Sequence, residues 1–135
     1  MPKQGFTLIE IIVTIVIMGV LVTLAVPRFT SQQERAVFSE GISALQMMFA
    51  AQQRYFMDHA SFEADATCYF LDVEPRARNF SIACADPGAA GGVIATAQRN
   101  SPPGPNYTIT VDNNGAYQCA SCTGSLSYLE RGLPR

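Results

Sequence analysis

The sequence predicts an α+β chain in which one long N-terminal helix, apolar in its first half, carries a small antiparallel β head held by disulfides. Three observations predict it. An almost unbroken apolar run extends from Leu8 to Val26. An amphipathic spacing of three and four residues follows from Phe38 to Phe56. After Ser61 come short strand-like segments separated by turn residues, with four cysteines among them. The anchor leaves roughly a hundred residues for one modest domain, too few for two ordinary cores.

In the apolar run, about twenty residues in a helix cross the hydrocarbon thickness of a bilayer. Its only charge from Leu8 to Val26 is Glu10. An acid inside a membrane helix costs roughly 2.5 to 3.5 kcal/mol, so something outside the chain must solvate it. The alternative places Glu10 near the headgroups, inert. Lys3 and the N-terminal amine outweigh Arg28 beyond the run, and the positive-inside rule sends the bulk of the chain outward. Gly5 has no side chain to obstruct close approach to the backbone beside the apolar run.

Gly5-Phe6-Thr7-Leu8-Ile9-Glu10, with Gly19 and Pro27 downstream, resembles the N-terminus of type IV pilins and of the related pseudopilins of type II secretion. The motif covers the first quarter of the chain. The resemblance implies a pilin fold with residues 1–5 as a leader, 6–27 as the half of the helix in the membrane or filament core, 28–60 as its amphipathic half, and 61–135 as a β-rich globular head. It implies cleavage after Gly5 by a prepilin peptidase that also methylates Phe6. The expected partners are identical or homologous pilins and an inner-membrane platform driven by a cytoplasmic ATPase. The expected location is the inner membrane, C-terminus outward, before assembly, and a surface filament afterwards. Glu10, one turn into the mature helix, would meet the α-amine of Phe6 in an adjacent subunit and set the axial register, the role the family gives it.

Gly19 and Pro27 bracket a weak stretch of helix. Proline has no N–H for the carbonyl of Thr23, and Gly19 with β-branched Val20, Val22 and Thr23 makes poor helix between them. The resemblance implies melting here in the assembled filament. A simple kink tolerated in a membrane helix is the other reading.

The amphipathic half sets Phe38, Ile42, Leu45, Phe49 and Phe56 on an apolar stripe, while Gln32, Glu34, Gln52, Gln53 and Arg54 supply polar faces. One helix is expected from Phe6 to about Asp58, with Gly41 placed to bend it. The stripe is read as core packing. In the head, segments 79–84, 92–98, 107–111 and 116–119 read as an antiparallel meander. Asp112-Asn113-Asn114-Gly115 reads as a hairpin in which Asn-Gly supplies positive φ angles, in preference to a calcium loop, whose spaced acids and terminal glutamate are missing. Asp86-Pro87-Gly88 and Ser101-Pro102-Pro103-Gly104-Pro105 mark the other connections.

Cys68, Cys84, Cys119 and Cys122 suit an oxidising compartment outside the cytoplasm and allow three complete pairings. A local scheme joins Cys68 to Cys84 and Cys119 to Cys122; a long-range scheme clamps the C-terminal strand to the head, and the local one is preferred. Cys119-Ala120-Ser121-Cys122 also has the spacing of a redox dithiol, without the βαβ surroundings that such a motif needs. Zinc held by all four thiolates needs reduced cysteines and is not expected. His59 stands alone and reads as a surface residue. No catalytic triad, phosphate loop or paired-carboxylate site is evident, so neither an enzyme nor a cofactor is expected. A net charge of -2 argues against a general nucleic-acid surface, although a local basic patch stays open. The reading is a pilus subunit serving adhesion, motility or DNA uptake. The alternatives are a type II secretion pseudopilin and, from another class, a membrane-anchored thiol-disulfide protein.

Overall fold

The computed structural model describes residues 5–74, 77–100 and 104–134, without the side chains of Val26, Pro27, Arg28 and Ser125. The leader residues 1–4, with Lys3, and residues 101–103 of the proline-rich connection lie outside the described residues. Helix α1 runs from Leu8 to His59, close to the predicted span. The chain divides between Glu34 and Arg35 into two compact units, and each is described by itself.

In the first unit α1 has no core to pack on. Its large apolar side chains from Leu8 to Leu24 are between 48% and 78% exposed, on every face of the helix. A helix apolar all round belongs inside something else, either lipid or other helices. Among the described residues this is the one helix long and apolar enough to cross a membrane. The two hydroxyls between Leu8 and Leu24 are satisfied within the helix, Thr14 Oγ1 donating to the Ile11 carbonyl at 2.8 Å and Thr23 Oγ1 to the Val20 carbonyl at 2.7 Å. They ask nothing of an apolar surrounding.

In the second unit the continuation of α1 buries one stripe against a four-stranded sheet. The strands are β1 (Phe80–Cys84), β2 (Val93–Arg99), β3 (Thr108–Asp112) and β4 (Tyr117–Ala120), antiparallel in the order β1-β2-β3-β4, the predicted meander. The register opposes Ala97 to both Ile82 and Ile109, and Ala95 to Val111, with an irregularity between Val93 and Ala95. The core joins Phe38, Ile42, Leu45 and Met48 of α1 with Ile94, Ala95, Ala97, Ile109 and Val111 of the sheet.

Gly41 has a different use from the bend that the sequence suggested. A Cβ at this position would stand 2.7 Å from Phe80 Cζ and 3.0 Å from Ile109 Cδ1, so the missing side chain is what lets the sheet approach α1. Two other expectations are corrected. Gln52, placed on a polar face, is fully buried, and Phe56, placed on the apolar stripe, is 41% exposed and stacks on Phe62 at a ring separation of 4.7 Å.

α1 stops at Ala60, whose φ of 54° is left-handed and whose N–H still donates to the Phe56 carbonyl at 2.8 Å. The β3–β4 hairpin forms where predicted, with different torsions: of Asn114 and Gly115 only Gly115 has a positive φ, 81°. The Gly115 N–H donates to the Asp112 carbonyl, and the Asp112 N–H to the Ala116 carbonyl, closing a three-residue loop. The Asp112 carboxylate accepts the N–H groups of Asn114 and Ala116. After β4 a single 3₁₀ turn (Gly124–Leu126) leads into a short helix, α2 (Ser127–Glu130), which the sequence reading did not foresee. Leu129 of α2 is buried in the same core.

Candidate assembly site

The disulfides join Cys68 to Cys84, across 5.3 Å between Cα atoms, and Cys119 to Cys122, across 5.6 Å. The first ties the loop after α1 to the end of β1, and both of its cysteines are buried. The second closes the chain just past β4. Cys122 is fully buried, and no helix begins at the pair, since the 3₁₀ turn starts at Gly124 and α2 at Ser127. That setting lacks the helix N-terminus that lowers a thiol pKa in redox dithiols. His59 stacks on Tyr55 at 4.1 Å, and its ring Nδ1 lies 3.1 Å from the Tyr55 carbonyl oxygen at the end of the helix.

The sequence motif at the N-terminus lies on the exposed helix of the first unit. Thr7 opens α1, its carbonyl accepting the N–H groups of Glu10 at 3.1 Å and Ile11 at 3.4 Å. Phe6 is 79% exposed just before it, and a Cβ at Gly5 would meet nothing within 4 Å, so the backbone there is open to approach. Glu10 stands in the first turn, where the unpaired N–H groups of the helix favour a negative charge. Among the described residues its carboxylate meets no hydrogen-bonding or charged partner within the chain. A single acid on an apolar rod therefore keeps its full demand for a partner.

Gly19 is equally open, with nothing within 4 Å of a Cβ. α1 is helical through both Gly19 and Pro27. Thr23, whose carbonyl lacks the N–H that Pro27 cannot offer, uses its own hydroxyl on Val20.

Known proteins share the N-terminal segment. Residues 1–26 match the prokaryotic N-terminal methylation motif. The N-terminal segment is thus similar to that of type IV pilins and of type II secretion core proteins. The chain is 35% identical over 83 residues to the type II secretion system core protein G of Klebsiella pneumoniae, a match covering 58% of this chain and 59% of that protein. It is 36% identical over 56 residues to the type IV major pilin protein PilA of Myxococcus xanthus, covering 42% of this chain and 26% of the relative. It is 34% identical over 65 residues to the type IV major pilin protein PilE of Neisseria gonorrhoeae, covering 48% and 39%. The matches thus span between about a quarter and three fifths of these relatives. No solved structure matches the chain. The pilin-like architecture, a long apolar helix followed by a disulfide-bonded antiparallel sheet, agrees with the motif.

Proposed function

We propose that this chain is a structural subunit that polymerises through α1 into a type IV pilus filament, after cleavage behind Gly5 and methylation of Phe6. The observation that carries the reading is the pairing of an apolar helix exposed on every face with one carboxylate that meets no partner among the described residues. Before assembly, lipid covers the apolar faces. In a filament, copies of the same helix cover them, and the α-amine of a neighbour's Phe6 supplies the charge that Glu10 lacks. Salt-bridge attraction rises steeply as the local dielectric falls, so in a helix bundle this one pair selects the axial stagger at which it can form. Residues 6–27 then make the filament core, 28–60 join core to head, and the 61–135 head is displayed. Gly19 and Pro27 give the core a segment able to unwind under tension. The implied partners are a prepilin peptidase with methyltransferase activity and an inner-membrane platform with its ATPase.

A pseudopilin of a type II secretion system is the second reading, and one observation favours it. A match of 83 residues must extend past the end of α1 into the head, whereas the pilin matches, of 56 and 65 residues, need include little of it. The head bonded at both Cys68–Cys84 and Cys119–Cys122 supports the pilus reading.

Shearing cells and identifying the filament protein by mass tests both. The pilus reading expects surface filaments built of a chain that begins at methylated Phe6, and few or none from Glu10→Ala, although that variant still inserts in the membrane. A chain that begins at Met1 and never polymerises sinks both readings. Retention of exported proteins in the periplasm of a deletion strain, with surface filaments intact, selects the pseudopilin.

A further inference from the structure

A groove of about 490 Å³ lies in the second unit where α2 packs beside the start of that unit's helix. Buried Phe38, Ile42 and Leu129 line its depth, and exposed Arg35 and Arg131 stand at its edge. Arg35 places its guanidinium 5.2 Å from the centre of the Tyr128 ring. The two serine hydroxyls along the groove are spent on the helix itself, Ser39 Oγ donating to the Ala36 carbonyl and Ser43 Oγ to the Ser39 carbonyl. The arginines, with the Tyr128 hydroxyl, are the side-chain donors that line the groove, and a fitting occupant is apolar or aromatic with a carboxylate at its border.

The same chain displays such a group elsewhere. Tyr69 and Phe70 are 78% and 63% exposed and pack edge to face at 5.2 Å, with exposed Asp72 two positions on. The rings are held outward by a fixed backbone, because Cys68 before them is buried in its disulfide with Cys84 and Leu71 after them is buried in the core. A preformed aromatic projection loses little freedom on binding, which is what an interface anchor needs. Phe70 sits beside Tyr55 and Asp58, near the C-terminal end of α1.

The projection and the groove thus lie some 16 residues apart along α1, roughly 24 Å at 1.5 Å per residue. The projection cannot reach the groove of its own chain. Two different patches that fit each other make a heterologous contact, which extends into an open polymer when it does not close. The geometry points to a contact between heads in which the Tyr69–Phe70–Asp72 projection of one copy enters the groove of another, Asp72 meeting Arg131 or Arg35. This rests on the filament reading and adds a second, head-borne contact to the one made by α1.

The test places a photoreactive benzophenone at position 69 of the full-length chain and irradiates both sheared filaments and concentrated chain in detergent. Adducts within 35–43 or 128–132 of a second copy are expected. Arg131→Glu is expected to cut them at least tenfold, and adding Asp72→Arg to restore them, with thermal unfolding showing that each variant folds. Such adducts in detergent from a chain that never forms filaments would support the contact while removing the filament reading. Adducts to lipid, to another protein or to other segments overturn the contact, as does indifference to Arg131→Glu in a folded chain.

Discussion

Gln52 and Glu63 are joined by a two-way hydrogen bond: the Glu63 backbone N–H donates to Gln52 Oε1 at 2.8 Å, and the Gln52 amide donates back to the Glu63 carbonyl at 3.0 Å. The same amide nitrogen donates to the Ile94 carbonyl at 3.2 Å, so one fully buried side chain links α1, the loop after it and β2. Glu63 is 5% exposed; its Oε1 accepts the Asp65 N–H at 2.7 Å, while Oε2 has no hydrogen-bond partner among the described residues.

Replacing Gln52 by leucine roughly keeps the volume and strands the N–H and the carbonyl of Glu63, while the Ile94 carbonyl keeps the Ala85 N–H at 3.0 Å. At roughly 1 to 3 kcal/mol for each buried group left unpaired, Gln52→Leu should lose about 3 kcal/mol or more. Urea unfolding of the detergent-solubilised chain measures this. A loss below about 1 kcal/mol would show that water or a shift of the loop replaces the amide.

Gly41→Ala sets two effects of opposite sign against each other. Helix propensity alone favours alanine by about 1 kcal/mol. The new methyl would meet the Phe80 ring at 2.7 Å, and that ring is 4% exposed and packed against Tyr107 at 5.9 Å, with little room to retreat. Overpacking of a filled core costs roughly 1 to 3 kcal/mol, so the net change is expected to be destabilising by about 1 kcal/mol. The sign decides the matter: a more stable Gly41→Ala chain would mean that the sheet does not press on α1 at this point.

These two residues also show where the sequence stops being readable. α1 and the four strands were legible because periodicity and turn residues report burial of apolar faces, and those faces set the elements. The motif around Gly5, Phe6 and Glu10 was legible for a different reason: a charge in an apolar run is out of place unless it has a task. Gln52 was misplaced because its partners are backbone groups 11 and 42 positions away, and no local pattern reports them. Gly41 was read as a bend because its close neighbours, Phe80 and Ile109, come from distant strands. α1 ends on Ala60 in the left-handed region, where glycine is the usual signal, and α2 is a single turn too short for periodicity to show.

Glu40 ties α1 to the entry of β1. Its carboxylate accepts the backbone N–H groups of Arg78 and Asn79, and the Asn79 side-chain amide at 2.7 Å. Partial burial works to raise its pKa, but the hydrogen bonds from Asn79 and Arg78, with the charge of Arg99, together hold it below its ordinary 4.5. A carboxylate with a depressed folded-state pKa stabilises the fold fully above its unfolded value, and that contribution fades as the pH falls through the folded one. The wild type should therefore be more stable than Glu40→Gln above pH 4.5, with the gap narrowing as the medium is acidified below it. Unfolding curves of the two chains that run parallel from neutral to acid pH would separate Glu40 from the acid sensitivity of the head.

The two disulfides close loops of very different length, with sequence separations of 16 and 3, and the chain-entropy account ranks them accordingly. Cross-linking restricts the unfolded chain by about 3 kcal/mol for the longer loop and about half that for the shorter. Replacing Cys68 and Cys84 together by alanine should thus lower the unfolding free energy by about 3 kcal/mol, and replacing Cys119 and Cys122 by roughly 1.5 kcal/mol. The native contacts sharpen the contrast, because Cys68 and Cys84 are both buried and hold the loop that carries Tyr69 and Phe70, whereas Cys119 is only partly buried. Denaturation of the two double variants under matched oxidising conditions checks the ranking. A larger loss from the Cys119–Cys122 pair would mean that the C-terminal turn and α2 depend on that bond to keep Leu129 in the core, an effect on the folded state outweighing the loop entropy.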